Sequence, residues 1–162
     1  NAHHLRAMDD AALLNAFDAW RAASGEGPLP DAARARIGSA IGAIKERAKT
    51  LADNEAPAAF ARKERPISFD AKAAAQLDET AKAVLATLPD VLRAARPWTK
   101  ETLSAALKAE ADAQGLKLGK VAQPLRAALT GAGASPGVFD VLVALGEDES
   151  LARLNDALSP QN

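Results

Sequence analysis

The segment Asp31–Leu51, DAARARIGSAIGAIKERAKTL, has the clearest periodic pattern in the chain. Apolar residues recur in it at alternating spacings of four and three, at Ile37, Ile41, Ile44, Ala48 and Leu51. Side chains three or four residues apart lie on the same face of an α-helix. The segment therefore predicts a helix with one buried stripe, and it indicates a protein built from amphipathic helices packed against one another.

The composition extends this prediction to the whole chain. Alanine, the best helix former, accounts for 41 of the 162 residues, whereas valine, isoleucine and threonine together number 16 and tyrosine is absent. We therefore predict an all-α fold without a sheet. The chain has no cysteine, which excludes a disulfide framework, a thiolate metal site and a cysteine nucleophile.

A proline divides the chain into two parts. Pro66 restricts Arg65 to extended conformations, so the residues around it are predicted to form a connector rather than a helix. We place a subdomain boundary there and expect two consecutive helical subdomains, residues 1–66 and 67–162.

Turn and capping residues predict where the helices begin and end. After the boundary we expect one long alanine-rich helix that carries Leu77, Val84 and Leu88 and is bent or restarted by Pro89. Gly115 is predicted to end a helix as a left-handed cap, which glycine tolerates, and Gly146 is predicted to end a later helix. The residues predicted to cap helices at their first turns are Asp9, Ser68 or Asp70, Thr99, and Ser135 ahead of Pro136.

The sequence shows no reaction centre. His3 and His4 are adjacent and point in different directions, which makes a poor metal site, and no structured acid is placed to orient either one as a base. The glycine-rich stretch 131–137 follows a predicted helix, whereas a dinucleotide-binding loop follows a strand. We therefore predict no catalytic residue, no cofactor site and no metal site in this chain. No apolar run reaches the roughly 20 residues that span a bilayer, so we expect a soluble cytoplasmic protein without a membrane partner.

The charge pattern leaves two interpretations open. The net charge is −1, which by itself predicts neither a nucleic acid nor an anionic membrane as partner. Between residues 116 and 139, however, there are three cations, Lys117, Lys120 and Arg126, and no acid. Such a stretch is typical of a solvated helix face and is also compatible with a surface that faces RNA.

Two neighbouring stretches favour the RNA interpretation. Residues 116–131, LKLGKVAQPLRAALTG, and 134–146, ASPGVFDVLVALG, closely resemble the C-terminal, anticodon-binding end of bacterial glutamyl-tRNA synthetases. Similar stretches occur earlier in the expected order, at Asn1–Arg6, Glu46–Leu51 and Trp98–Thr99, so the resemblance covers essentially the whole chain. It implies an all-α anticodon-binding module cut from a class I synthetase. The ATP-site signatures of HIGH and KMSKS type are absent from this sequence, so ATP and Mg²⁺ are expected only in a catalytic domain outside it.

The resemblance also implies which residues contact tRNA. Arg47 matches the arginine that recognises the third anticodon base, and Arg126 matches one that meets the anticodon loop. Three residues match the loop and helix start beside the first anticodon base, namely Ser135, Pro136 and Val138. The candidate contacts to the tRNA backbone are Arg36, Lys108, Lys117 and Lys120.

Other roles remain open for the two arginines. Arg47 could form a surface salt bridge, and Arg126 could be a surface cation whose stem covers the core. Arg36, eleven residues before Arg47, shares nearly its direction on a helix, so both could face one groove.

The expected partner is the anticodon stem-loop of tRNA-Glu, bound by a monomer without a metal. The parent enzyme would then be an ATP-dependent glutamate–tRNA ligase. The alternative is a free-standing helical module, descended from the same domain, that binds protein instead of tRNA.

Overall fold

The computed structural model describes residues 2–159, all of it helices joined by turns and short loops. Asn1, in the first stretch that resembles the synthetases, and residues 160–162, at the end of the second predicted subdomain, lie outside the described residues. Within residues 2–159 there is no strand, and the prediction of an all-α fold is confirmed. The helices before Pro66 are α1 (Ala2–Ala7), α2 (Asp10–Ala23), α3 (Asp31–Lys45) and α4 (Glu55–Ala58), with 3₁₀ turns at Ala52–Asn54 and Ala59–Arg62. Those after it are α5 (Ala71–Ala75), α6 (Glu79–Leu85), α7 (Leu88–Ala94), α8 (Lys100–Ala113), α9 (Leu118–Thr130), α10 (Val138–Leu145) and α11 (Glu147–Leu158).

Most of the predicted helix ends are confirmed. The side chains of Asp9, Asp70 and Thr99 accept hydrogen bonds from backbone N–H groups in the first turns of α2, α5 and α8. Gly115 and Gly146 have positive φ angles of 69° and 80° after α8 and α10. These local signals were sufficient because each cap depends on residues within one helical turn.

The prediction of one long alanine-rich helix is wrong, because three shorter helices, α5, α6 and α7, replace it. Asp78 accepts a hydrogen bond from Ala81 N at 2.8 Å and begins α6. An aspartate that bonds to the backbone in this way competes with continuation of the preceding helix. Pro89 lies in the first turn of α7, where the missing N–H has no helical partner to lose.

The first periodic segment also ends earlier than its pattern predicts. Helix α3 stops at Lys45, and the carboxylate of Asp53 accepts hydrogen bonds from Lys49 N and Thr50 N at 2.9 and 2.8 Å. These bonds stabilise a turn instead of a further helical turn. Ala48 is still only 2% exposed, so the apolar spacing predicted burial correctly although the backbone is not helical there.

The predicted cap at Ser135 is wrong as well. Helix α10 begins at Val138 with Gly137 before it, and the hydroxyl of Ser135 donates to the carbonyl of Pro136 at 2.9 Å. Ser135 and Pro136 therefore belong to the loop that precedes α10, not to the helix.

The core is continuous across Pro66. Helix α3 packs against both α2 and α10, and α9 packs against α6, α8, α10 and α11. Large apolar side chains from both sides of the proline, such as Phe17, Ile37, Leu107 and Leu142, belong to one buried cluster. This packing brings the end of α3 close to the loop before α10. The subdomain boundary at Pro66 stays a prediction.

A buried arginine also joins the two parts. Arg153 on α11 is 1% exposed, and its guanidinium donates to the carbonyls of Phe60, Leu129 and Lys63 at 2.8 to 2.9 Å. The Glu149 carboxylate accepts from its Nε at 2.9 Å. Burial lowers the pKa of Arg153 from its ordinary value, while the bond to Glu149 acts in the opposite direction. These contacts fix α11 and the end of α9 against the segment that follows α4.

Candidate nucleic-acid interface

A cleft of about 650 Å³ lies where the end of α3 faces the loop between α9 and α10. One wall comes from α3 and the turn after it, and the other comes from α9 and the loop. The cleft brings together four of the residues predicted to contact tRNA, which are Arg47, Arg126, Ser135 and Pro136. The other polar side chains that line it belong to Glu46 and Asp140.

The two arginines in this cleft differ from the rest. Of the eleven arginines in residues 2–159, only Arg47 and Arg126 have guanidinium groups with neither a hydrogen bond nor an ion pair; the other nine bind a carbonyl, an amide oxygen or a carboxylate. The surface salt bridge considered for Arg47 is therefore not formed. Each guanidinium presents five N–H donors in a planar fork, so the cleft offers unused donors to a ligand that has acceptors.

The charge in the cleft favours an anionic ligand. The Asp140 carboxylate lies 2.8 Å from Lys100 Nζ, so its charge is paired within the protein. The backbone carbonyl of Glu46 accepts a hydrogen bond from Arg6 Nε at 3.0 Å, which attaches α1 to the turn beside Arg47. Two unpaired guanidinium groups then face one free carboxylate, that of Glu46. The unpaired charges that line the cleft are therefore positive on balance, although the whole chain carries a charge of −1.

The remaining predicted contact residues lie elsewhere. Arg36 donates to the carbonyl of Ala61 at 3.2 Å and lies 3.8 Å from the Glu149 carboxylate. The prediction that Arg36 and Arg47 face one groove is wrong, because α3 ends before Arg47. Val138 is 7% exposed, so it supports the first turn of α10 from inside.

Three predicted backbone contacts are exposed lysines outside the cleft lining. Lys108 lies on α8, Lys117 precedes α9, and Lys120 borders a separate pocket of about 260 Å³ between α6 and α9. None of the three forms an ion pair in the described part of the chain. Their contact with tRNA stays a prediction.

The loop in the cleft is held from behind by Asp70. Its carboxylate accepts from Gly133 N at 2.8 Å, and its backbone N–H donates to the carbonyl of Gly131 at 2.8 Å. Hydrogen bonds from Ala73 and Gly133, together with the charge of Lys63, hold the pKa of Asp70 below its ordinary value. The sequence predicted only the helix cap at this residue, because the contact with Gly133 joins segments that are distant in the chain.

Comparison with known proteins places this arrangement in a family. Residues 9–158 match the family model described as anticodon binding domain, and the chain belongs to that family.

Its relatives include glutamate–tRNA ligases. It is 48% identical over 161 residues to the glutamate–tRNA ligase of Bradyrhizobium sp. (strain BTAi1), covering 96% of this chain and 34% of that protein. It is also 48% identical over 163 residues to the glutamate–tRNA ligase 2 of Brucella ovis, covering 98% of this chain and 34% of that protein. The chain thus spans about a third of the length of the curated relatives it matches.

A solved structure has the same fold. The crystal structure of a glutamate tRNA ligase from Elizabethkingia meningosepticum, in complex with its amino acid, superimposes with a TM-score of 0.78 at 28% identity. The match covers 98% of this chain and 30% of that one. The resemblance to the glutamyl-tRNA synthetases, found from the sequence motifs, is confirmed.

Two other kinds of feature are absent from the described residues. No helix among residues 2–159 is both long and apolar enough to cross a bilayer. Over the same residues, no three histidine, aspartate or glutamate side chains lie together in a group that could hold a metal ion.

Proposed function

We propose that this chain is the anticodon-recognising part of a glutamate–tRNA ligase and that its cleft binds the anticodon stem-loop of tRNA-Glu. The observation that carries the proposal is the meeting of Arg47 and Arg126, both without partners, beside the loop that contains Ser135 and Pro136. The family and the named relatives support it. Glutamate activation, with its ATP and Mg²⁺, is assigned to a catalytic domain outside this chain, and the whole enzyme is proposed to act in cytoplasmic translation. We propose that the chain binds as a monomer.

The base selectivity follows from the donors of Arg47. Glutamate anticodons end in C, whereas glutamine anticodons end in G. A guanidinium can donate to O2 and N3 of cytosine, but guanine presents the N1–H and N2–H₂ donors on the same edge. A guanine at this position would leave the donors of Arg47 without matching acceptors, and that loss disfavours the wrong tRNA.

The alternative of a module that binds protein is not favoured. Protein-binding surfaces are enriched in exposed aromatic and large apolar side chains. In the described part of the chain no large hydrophobic side chain is exposed. The cleft instead presents two arginines, which suits a phosphate-rich ligand with polar base edges.

Binding to a labelled anticodon stem-loop of tRNA-Glu tests the proposal. We expect weak binding that falls steeply between low and moderate salt, since phosphate contacts release condensed counterions. Arg47→Ala and Arg126→Ala should each weaken it. Arg93→Ala is the matched control, because it removes the same charge from α7, where Arg93 pairs with Asp90 away from the cleft. Equal losses in all three variants, or an affinity that does not depend on salt, would contradict the proposal.

A further inference from the structure

The loop that lines the cleft, residues 131–137, has no regular secondary structure, so something outside it must fix its conformation. Thr130 Oγ1 accepts from Ala132 N at 3.2 Å at the start of the loop, and Asp70, which does not itself line the cleft, bonds the loop further along, at Gly133. We propose that Asp70 is a positioning residue for recognition of the first anticodon base, because its carboxylate holds this loop in the conformation that presents Ser135 and Pro136. This inference rests on the proposed function.

Asp70 divides its two carboxylate oxygens between two elements. Oδ1 accepts from Ala73 N at 2.8 Å and caps α5, while Oδ2 accepts from Gly133 N at 2.8 Å. Its own backbone N–H donates to the Gly131 carbonyl, also at 2.8 Å. One residue therefore joins the start of a helix to two points of the loop.

At this junction the loop touches the segment 68–72 without room for side chains on its glycines. Gly131 has a φ of 66°, and a Cβ atom there would collide with the carbonyl oxygen of Ser68. A Cβ atom on Gly133 would lie 2.7 Å from Cδ of Lys72. Lys63 Nζ donates to the same Ser68 carbonyl at 3.3 Å and would lie 2.9 Å from the Cβ atom added to Gly131. The loop therefore lies directly on the segment 68–72.

The anchored point is close to the residues it is proposed to place. Ser135 and Pro136 follow Gly133 by two and three residues, so the chain cannot carry them more than about 11 Å from the bond to Asp70. Gly133 also lines the cleft, as do the residues after it as far as Gly137. Loss of the bond between Asp70 and Gly133 would therefore free the wall of the cleft that faces the first anticodon base, while Arg47, on the opposite wall, would keep its place.

The ionised carboxylate suits this task because both of its oxygens accept hydrogen bonds. An asparagine in its place has one acceptor oxygen and an NH₂ group, which cannot accept from a second N–H. Asparagine is also a good helix cap, so Asp70→Asn should keep the bond to α5 and lose the bond to Gly133. Serine likewise caps helices but is too short to bind both groups, so Asp70→Ser provides a second variant of the same kind.

The chain also offers a matched control. Asp78 caps α6 in the way that Asp70 caps α5, accepting from Ala81 N at 2.8 Å. It is exposed and has no contact with the loop. Asp78→Asn therefore makes the same chemical change at a helix cap without touching the cleft.

The experiment measures binding of the wild type and the three variants to three stem-loops: the cognate one, one altered at the first anticodon base and one altered at the third. For the Asp70 variants we expect the preference for the cognate first base to fall about threefold to tenfold, as loss of one hydrogen bond would give. The preference at the third base should stay unchanged, and Asp78→Asn should alter neither.

Two results would overturn the inference. One is an unchanged preference for the cognate first base in both Asp70 variants. The other is an equal fall in the preference at the first and the third base, which would indicate a general loss of structure. Failure of the proposed function looks different. In that case the wild type itself would not distinguish the three stem-loops, and both proposals would be wrong.

Discussion

Arg47 and Arg126 line one cleft although the first precedes Pro66 and the second follows it. Their meeting depends on the packing of α3 against α10 and on Arg153, which binds carbonyls on both sides of the proline. Neither part of the chain contains the cleft by itself. The cleft is therefore a property of the assembled fold, and so is the anticodon recognition that we propose for it.

Arg47→Gln should weaken binding of the cognate C-ending anticodon by roughly 1–3 kcal/mol. The difference in binding free energy between the C-ending and the G-ending anticodon should become smaller, because an amide both donates and accepts hydrogen bonds. Arg47 is exposed and lies beyond the end of α3, so the helix content should not change. The measurement is binding to two stem-loops that differ only at the third base.

Two variants serve as controls for this result. Arg47→Ala should lose the cognate contact without gaining the other, whereas Lys120→Ala should weaken both stem-loops about equally and lower the slope of affinity against salt. If Arg47→Gln changed both affinities by the same amount, Arg47 would be a phosphate or structural contact.

Gly131→Ala should destabilise the protein more than Gly115→Ala. Both glycines have φ near 70°, and alanine in that conformation costs about 1–2 kcal/mol at either site. At Gly115 no atom lies within 4 Å of an added Cβ, whereas at Gly131 the Ser68 carbonyl must move. We expect a further loss of about 1–3 kcal/mol for Gly131→Ala in urea unfolding. Equal losses would show that the close approach of the two backbones is not retained in solution.

Arg153→Met should lower the free energy of unfolding by roughly 3–5 kcal/mol, since it removes the guanidinium that donates to the carbonyls of Phe60, Leu129 and Lys63. Arg93→Met makes the same substitution at an exposed position on α7 and should change stability by less than about 0.5 kcal/mol. Urea unfolding of both variants checks the prediction. A loss below about 1 kcal/mol for Arg153→Met would mean that water replaces the guanidinium at little cost.

The contribution of Asp70 to stability should disappear in acid. Its pKa in the folded protein is below the ordinary value of about 3.9, so the folded state favours the ionised form. The resulting stabilisation is complete above about pH 4 and is lost as the pH falls through the folded pKa. The hydrogen bonds from the backbone N–H groups of Ala73 and Gly133 are the main causes of the lowered pKa, and the charge of Lys63 acts in the same direction.

Urea unfolding of the wild type and Asp70→Asn, compared from pH 7 down to pH 3, gives the measurement. The difference in free energy of unfolding between the two proteins should be present at pH 7 and should become smaller below pH 4. Other carboxylates, such as Glu147 beside Arg96, also become protonated in acid. Their contributions to stability are the same in both proteins and cancel in the difference. A difference that stays constant with pH would show that the folded state does not favour the ionised carboxylate of Asp70.

The sequence predicted the fold class and many helix ends because those depend on local patterns. Asp9, Asp70 and Thr99 cap helices through bonds within one turn, and such bonds are visible in the order of the residues. The length of α3 was predicted wrongly because the side chain of Asp53 accepts hydrogen bonds from Lys49 N and Thr50 N, which a longer helix would use within itself. The spacing of apolar residues does not indicate such side-chain bonds.

The site was only partly predictable. Arg47 and Arg126 came from a resemblance to known sequences, since no periodic pattern distinguishes them from other surface arginines. The second bond of Asp70 and the three carbonyls on Arg153 were missed, as both join segments far apart in the chain. One signal was present for Arg153: it lies three residues after Ser150 and four before Ala157, within the stripe that α11 buries.

The continuous core also sets the smallest piece that can be moved between proteins. A cut at Pro66 would expose the buried stripe of α3 on one fragment and the matching face of α10 on the other, and each fragment would be prone to aggregate. Transfer of the proposed anticodon specificity to a synthetase would therefore require exchange of the whole unit. A chimera that borrows only the α9–α10 loop would carry Ser135 and Pro136 to a new host without the acid that anchors them.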